Sequence, residues 1–271
     1  AAQKIGLLNA LLFSDLPGGL LPQGPGCEFV CATEIFHDAS ESPYVRLLPI
    51  DTRKRPESIA ALRRSPVDWI TMRLNPDSAE SVAEATRCLL ESRTSSDDET
   101  KSLTLSTIAI RGETIMIPAW RYALINLPHP LLKSGLIALY SPSPQMLAAE
   151  PEIAMRLAAV AQSLLMVLDK ELSAAGQGVW KQYVQNSPAH KFAVVDSGGG
   201  ADAAAATRLA QLLGIPPSNV LSFAVGAAVA ARLQHADSAE PATGFAELER
   251  LHADKLVPER QALLSSNVAR E

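Results

Sequence analysis

From Glu150 onward, helical periods alternate with short, continuously apolar runs, and this alternation limits the fold more than any other feature of the chain. A helix is expected over 150–162, with Ile153, Leu157 and Val160 on one face, and an apolar strand follows over 163–168. A second helix over 174–184 precedes a strand over 192–195. A third, over 201–213, turns Ala205, Leu209 and Leu212 inward and ends at Gly214 and the Pro216-Pro217 break, before a strand over 220–223. Strands that are apolar on both faces and separated by helices predict an α/β fold with a mostly parallel central sheet covered on both sides.

The first half is less regular. Leu7, Leu8, Leu11 and Leu12 make an apolar helical face over 4–13, and irregular loops are expected over 14–44, beginning with a Gly/Pro-rich stretch at 15–26. A strand is expected over 44–50, helices over 56–64 and 77–93, and a polar loop over 92–102. The alternating run at 103–110 turns at Arg111-Gly112-Glu113 and returns over 114–117, which reads as a hairpin insertion. The segment 126–143 then reads as a turn-bounded strand, 135–139, running into Tyr140-Ser141-Pro142-Ser143. In an α/β fold such a loop lies at the carboxyl edge of the sheet, where ligands sit. This one offers two hydroxyls and a phenol, with no carboxylate to hold a metal-bound water and no glycine to approach a phosphate.

At 271 residues and 47% hydrophobic, the chain is long enough to bury a full core. A net charge of −5 gives no general attraction to nucleic acid or anionic lipid, although a local basic patch stays open. Cys27, Cys31 and Cys88 make no disulfide framework, so a reducing, cytoplasmic setting is expected. The longest uncharged apolar run, 220–231, is well short of the roughly 20 residues of a spanning helix. No signal peptide opens the chain, which starts inside a helix; we expect an upstream strand or a longer parent protein.

Four constellations have ordinary structural readings beside their chemical ones. Ser197-Gly198-Gly199-Gly200-Ala201-Asp202 follows a predicted strand and opens a helix, a context in which amides can meet a phosphate, yet no acidic residue follows about 20 positions on to hold a ribose. A glycine connector is the simpler reading. Cys27, Cys31 and His37 are one ligand short of a structural zinc site, and buried thiols are common in cores. Trp69, Trp120 and Trp180 are too scattered for a stacking platform. His129, between two prolines, reads as a turn-fixing hydrogen bonder, with no nucleophile placed beside it.

In Leu7-Leu8-Asn9-Ala10-Leu11-Leu12, Cys31-Ala32-Thr33-Glu34 with Phe36 and Asp38, Arg46-Leu47-Leu48-Pro49-Ile50, the run 126–135, Glu150-Pro151-Glu152 and Leu213-Gly214-Ile215-Pro216-Pro217, which span nearly the whole length, the chain resembles the bacterial dynamin-like GTPases. The resemblance implies a P-loop GTPase-like three-layer head over 1–257, with 258–271 leading toward a helical stalk. The family's nucleotide motifs are altered. Against G-x-x-x-x-G-K-[ST], Lys4 keeps the lysine, while Gln3 stands at the glycine and Ile5 replaces the Mg²⁺-binding hydroxyl. D-T-P-G is matched by Tyr140-Ser141-Pro142-Ser143, and N-K-x-D by Asp196-Ser197-Gly198-Gly199, which lacks the base-reading carboxylate.

The expectation is a pseudo-GTPase whose vestigial nucleotide face comprises Lys4, Ile5, Thr33, Tyr140, Ser141, Ser143 and Asp196, with no catalytic residue and no metal ligand. It acts as an interaction or scaffold module paired with an active dynamin-like relative or a second copy, in membrane-associated remodelling through the stalk. No cofactor is implied, GTP or GDP binding being at most vestigial. The alternative is a weak GTPase that uses Lys4, Mg²⁺ and groups supplied by a partner. A third reading is a binder of another phosphate ligand through Gly198 to Gly200. Nucleic acid is not an expected partner, and the expected location is cytoplasmic or peripheral to a membrane.

Overall fold

The computed structural model describes residues 2–105, 109–168, 172–198, 202–233, 244–248 and 250. The chain divides into two compact units, Ala1–Leu157 and Ala158–Glu271. The first contains α1 (Ala2–Leu12), β1 (Ala32–Phe36), β2 (Tyr44–Pro49), α2 (Ile59–Leu62), β3 (Ile70–Arg73), α3 (Ala79–Arg87), β4 (Ser92–Ser95) and α4 (Asp97–Ser102). It continues through β5 (Ala109–Arg111), β6 (Thr114–Pro118), β7 (Trp120–Asn126), α5 (Pro130–Lys133), β8 (Ala138–Tyr140), α6 (Pro144–Ala149) and most of α7 (Pro151–Val160). The second contains β9 (Ser163–Leu168), α8 (Ala174–Val179), β10 (His190–Asp196), α9 (Ala203–Leu213), β11 (Val220–Phe223) and α10 (Val225–Leu233).

The expected mostly parallel central sheet of a GTPase-like three-layer domain is not what these strands build. The first unit holds a five-stranded mixed sheet, β3-β2-β7-β1-β8, in which only β1 and β7 run parallel. A separate antiparallel sheet, β4-β6-β5, contains the hairpin return and also β4, where a polar loop was expected. Within the expected hairpin, 103–105 belong to the end of α4 and the turn after it, and 106–108 lie outside the described residues. Parallel pairing of neighbours throughout is confined to the second unit's β11-β10-β9. Helix and strand lie near their expected positions across 150–223, but a short apolar strand carries no mark of its direction, and that is what the expectation got wrong.

β7 is the middle strand of the mixed sheet, and all seven of its residues are buried. One sheet face carries Ile35, Val45, Leu47, Ala123, Ile125, Ala138 and Tyr140 into a core completed by Ile5 and Phe13 of the first helix and its end, and by Val82 and Ala85 of α3. The loop after α1 is irregular, as expected, but it is pinned. Asn9, fully buried, accepts from the amides of Leu20 and Leu21 at 3.1 and 2.9 Å and donates to the Leu21 carbonyl at 2.8 Å. Gly19 passes this amide with φ +80°, and a Cβ there would stand 2.4 Å from Asn9. The second unit packs Leu168, Ala193, Val195 and Val220 of its sheet against Leu209, Ala210 and Leu213 of α9. Asp202 caps that helix and Gly214, at φ 66°, closes it. Among the described residues no helix is long and apolar enough to cross a membrane.

Candidate functional site

Lys4 stands in the first turn of α1, facing the loop that leaves β8. Its Nζ donates to the carbonyl oxygens of Ser141 and Pro142, each at 2.8 Å, and lies 5.4 Å from the centre of the Tyr140 ring. An ammonium has three N–H donors, so two are directed at backbone. Burial pulls the Lys4 pKa from 10.5 down to about 8, because the charged form loses its hydration. The lysine therefore ties a helix to a loop.

The other expected residues of the first unit are engaged in the same way. Ile5 is wholly inside the core. Thr33, on β1, is buried and its hydroxyl donates to the Cys31 carbonyl at 3.0 Å. Tyr140 pairs with Thr33 across β1 and β8, and burial raises the pKa of its phenol well above the usual range. Ser141 supplies its carbonyl to Lys4, and the Ser143 hydroxyl caps α6 by accepting from the Met146 amide at 3.4 Å. Lys4, Ser141 and Tyr140 are thus in contact, with Thr33 opposite Tyr140 and Ser143 at the start of the next helix.

Asp196 belongs to the second unit, at the end of β10. Its Oδ1 accepts from the amides of Gly198 and Val225, at 3.0 and 3.2 Å, and so closes the turn after the strand. A cavity of about 470 Å³ lies at the carboxyl ends of β10 and β11, lined by Asp196, Ser197, Asp202, Arg208, Leu209 and Ser222 among others. The Asp202 carboxylate accepts from the Ala205 amide at 2.8 Å, while its own amide donates to the Ser222 hydroxyl at 3.1 Å. Ser197 Oγ is buried without a hydrogen-bond partner among the described residues. Gly199 and Gly200, part of the third reading, lie outside the described residues.

The remaining candidates have structural roles. Cys27, Cys31 and Cys88 are free and buried, and burial pushes the Cys31 and Cys88 thiols up to about 12 and about 11. Among the described residues no group of three or more His, Cys, Asp or Glu is placed to hold a metal ion. His129 Nδ1 accepts from the Leu131 amide at 3.3 Å at the start of α5, which leaves a proton on Nε2, 2.9 Å from both Asp15 oxygens.

Two buried ion clusters escaped the reading from sequence. Glu34, inside β1, accepts from Arg63 at 2.7 and 2.9 Å, from Arg156 at 2.9 Å and from the Tyr122 hydroxyl at 3.4 Å. Glu150 accepts from Arg53 at 2.9 Å and from Arg121. The signal was a carboxylate set among Thr33 and Ile35, a position a strand tolerates only when cations reach it.

No protein-family model matches this chain, and no curated protein matches it either.

Proposed function

We propose that this chain is a non-catalytic interaction module whose expected nucleotide-facing residues serve as internal struts. The observation that carries this reading is the Lys4 ammonium, held by the Ser141 and Pro142 carbonyls instead of facing outward to a phosphate. The buried Tyr140 phenol and the apolar Ile5 support it, since by the resemblance each takes the position of a group that meets Mg²⁺, and the Thr33 hydroxyl is engaged by the Cys31 carbonyl. Its partner is an active relative or a second copy, and its setting is cytoplasmic, at a membrane periphery.

The test is a titration with a fluorescent GTP analogue, with and without Mg²⁺, and an adenine analogue as control. No saturable binding is expected up to millimolar analogue. Lys4→Ala is expected to leave that result unchanged and to lower folding stability by about 1.5–3 kcal/mol, as befits a lost charged hydrogen bond. Saturable, Mg²⁺-dependent, guanine-selective binding that Lys4→Ala abolishes would overturn the proposal in favour of a weak GTPase.

A further inference from the structure

The face of the mixed sheet opposite Lys4 has a different character. Register places Glu34, Leu124, Arg46 and Thr71 in one row across β1, β7, β2 and β3, and Phe36, Asn126, Tyr44 and Arg73 in the next. Arg63, at the end of α2, and Arg156, on α7, reach the same Glu34. Arg46 stacks over the Tyr44 ring at 4.0 Å and pairs with Glu41 at 2.9 Å, and Arg63 lies 5.8 Å from the centre of the Phe36 ring. The side chains of Arg46, Arg63 and Arg156 remain 30%, 31% and 30% exposed.

Charge sets this face apart. Four guanidiniums, Arg46, Arg63, Arg73 and Arg156, stand against the carboxylates of Glu34, Glu41 and Asp38, a residual of +1 on a chain whose net charge is −5. Arg73 is exposed and makes no ion pair among the described residues. The Nε of Arg156 is buried without a hydrogen-bond partner among the described residues. Glu152, on the same helix, is engaged by Arg121 at 3.7 Å and by the Ala60 amide at 3.4 Å.

We infer that this arginine-rich sheet face binds an extended acidic peptide segment of a partner protein. Spacing decides against a single phosphate: from β3 to β1 is three strand intervals, about 14 Å, which one phosphate cannot bridge. About five residues of extended chain cover that distance. Bases have little to stack on, because Tyr44 is only 5% exposed beneath Arg46 and Phe36 is half-buried with Arg63 5.8 Å from its ring centre, whereas single-stranded nucleic acid uses open rings. The inference rests on the reading of the chain as an interaction module and names the chemistry of its partner.

The experiment is fluorescence anisotropy of the whole chain with a labelled Glu/Gly-alternating peptide of about ten residues, with oligothymidine and inorganic phosphate as separate arms. The GTP-analogue titration is run on the same preparation. Peptide binding that weakens from about 50 to about 300 mM salt is expected, as for exposed charges. Arg73→Glu, which breaks no internal ion pair, is expected to weaken it at least about tenfold, and Glu41→Gln, which removes an opposing carboxylate, to tighten it several-fold. Absence of peptide binding, indifference to Arg73→Glu, or tighter binding of oligothymidine or phosphate than of peptide overturns the inference. Nucleotide binding in the parallel titration overturns the non-catalytic reading and leaves the peptide result to be judged separately.

Discussion

At the scale of single residues, Lys4 shows how a side chain's type and its role part company. A lysine in the first turn of a helix is legible in the sequence; its target is not, because Ser141 and Pro142 lie 137 and 138 positions away. Its buried ammonium also has a pH signature. The folded pKa, about 8, lies below the unfolded 10.5, so between these values the unfolded chain binds more protons and Lys4 adds to stability as pH rises. A neutral amine keeps two N–H donors, enough for both carbonyls. Urea unfolding of the wild type and Lys4→Met from pH 7 to 10.5 is therefore expected to give a stability difference that is flat below about pH 8 and moves in favour of the wild type above it. The comparison matters because the Cys31 and Cys88 thiols, raised above their ordinary 9.0, act in the opposite sense: their contribution is full below pH 9 and is lost as pH climbs toward about 11 and 12.

At the scale of elements, buried charge joins parts of the chain that periodicity treats separately. Glu150, just before α7, holds Arg121 of β7 and Arg53 of the turn after β2, with all three side chains at most 8% exposed. Replacing Glu150 with Ala leaves two guanidiniums facing one another in a poorly hydrated place. A loss of about 3–5 kcal/mol is expected, read as a lower midpoint in urea with an unchanged slope. Glu150→Gln, which keeps two lone pairs and loses the charge, is expected to cost less. Thr33 and Glu34 interrupt the apolar run of β1 and hide a strand inside a segment expected to be irregular, and only Arg63 and Arg156, 29 and 122 positions distant, make a carboxylate tolerable inside a sheet. By contrast, β7 carries a legible signal in Tyr122-Ala123-Leu124-Ile125, a continuous apolar run of strand length that was passed over beside the Pro-rich segment after it.

At the scale of the whole molecule, each unit has its own sheet with a well-covered middle strand. Hydrogen exchange is expected to be slowest at the amides of β7 and of Phe192–Val195 in β10, and faster in the edge strands β3 and β8, which lack a neighbour on one side. Exchange in β8 as slow as in β7 would mean that another chain segment pairs with its open edge. The sequence by itself determined the presence of a helix at α1 and the places of β9, β10 and β11, with α9 between them and its stop at Gly214. These follow from local spacing and residue chemistry. Only the tertiary structure decided strand direction, the separation into mixed, antiparallel and parallel sheets, the partners of Lys4 and Thr33, and the inward face of α1, where Ile5, Asn9 and Ala10 are buried and Leu8, Leu11 and Leu12 only partly so. A strand's side-chain pattern is the same whichever way its neighbour runs, and a buried polar group is satisfied by partners that chain distance does not reveal.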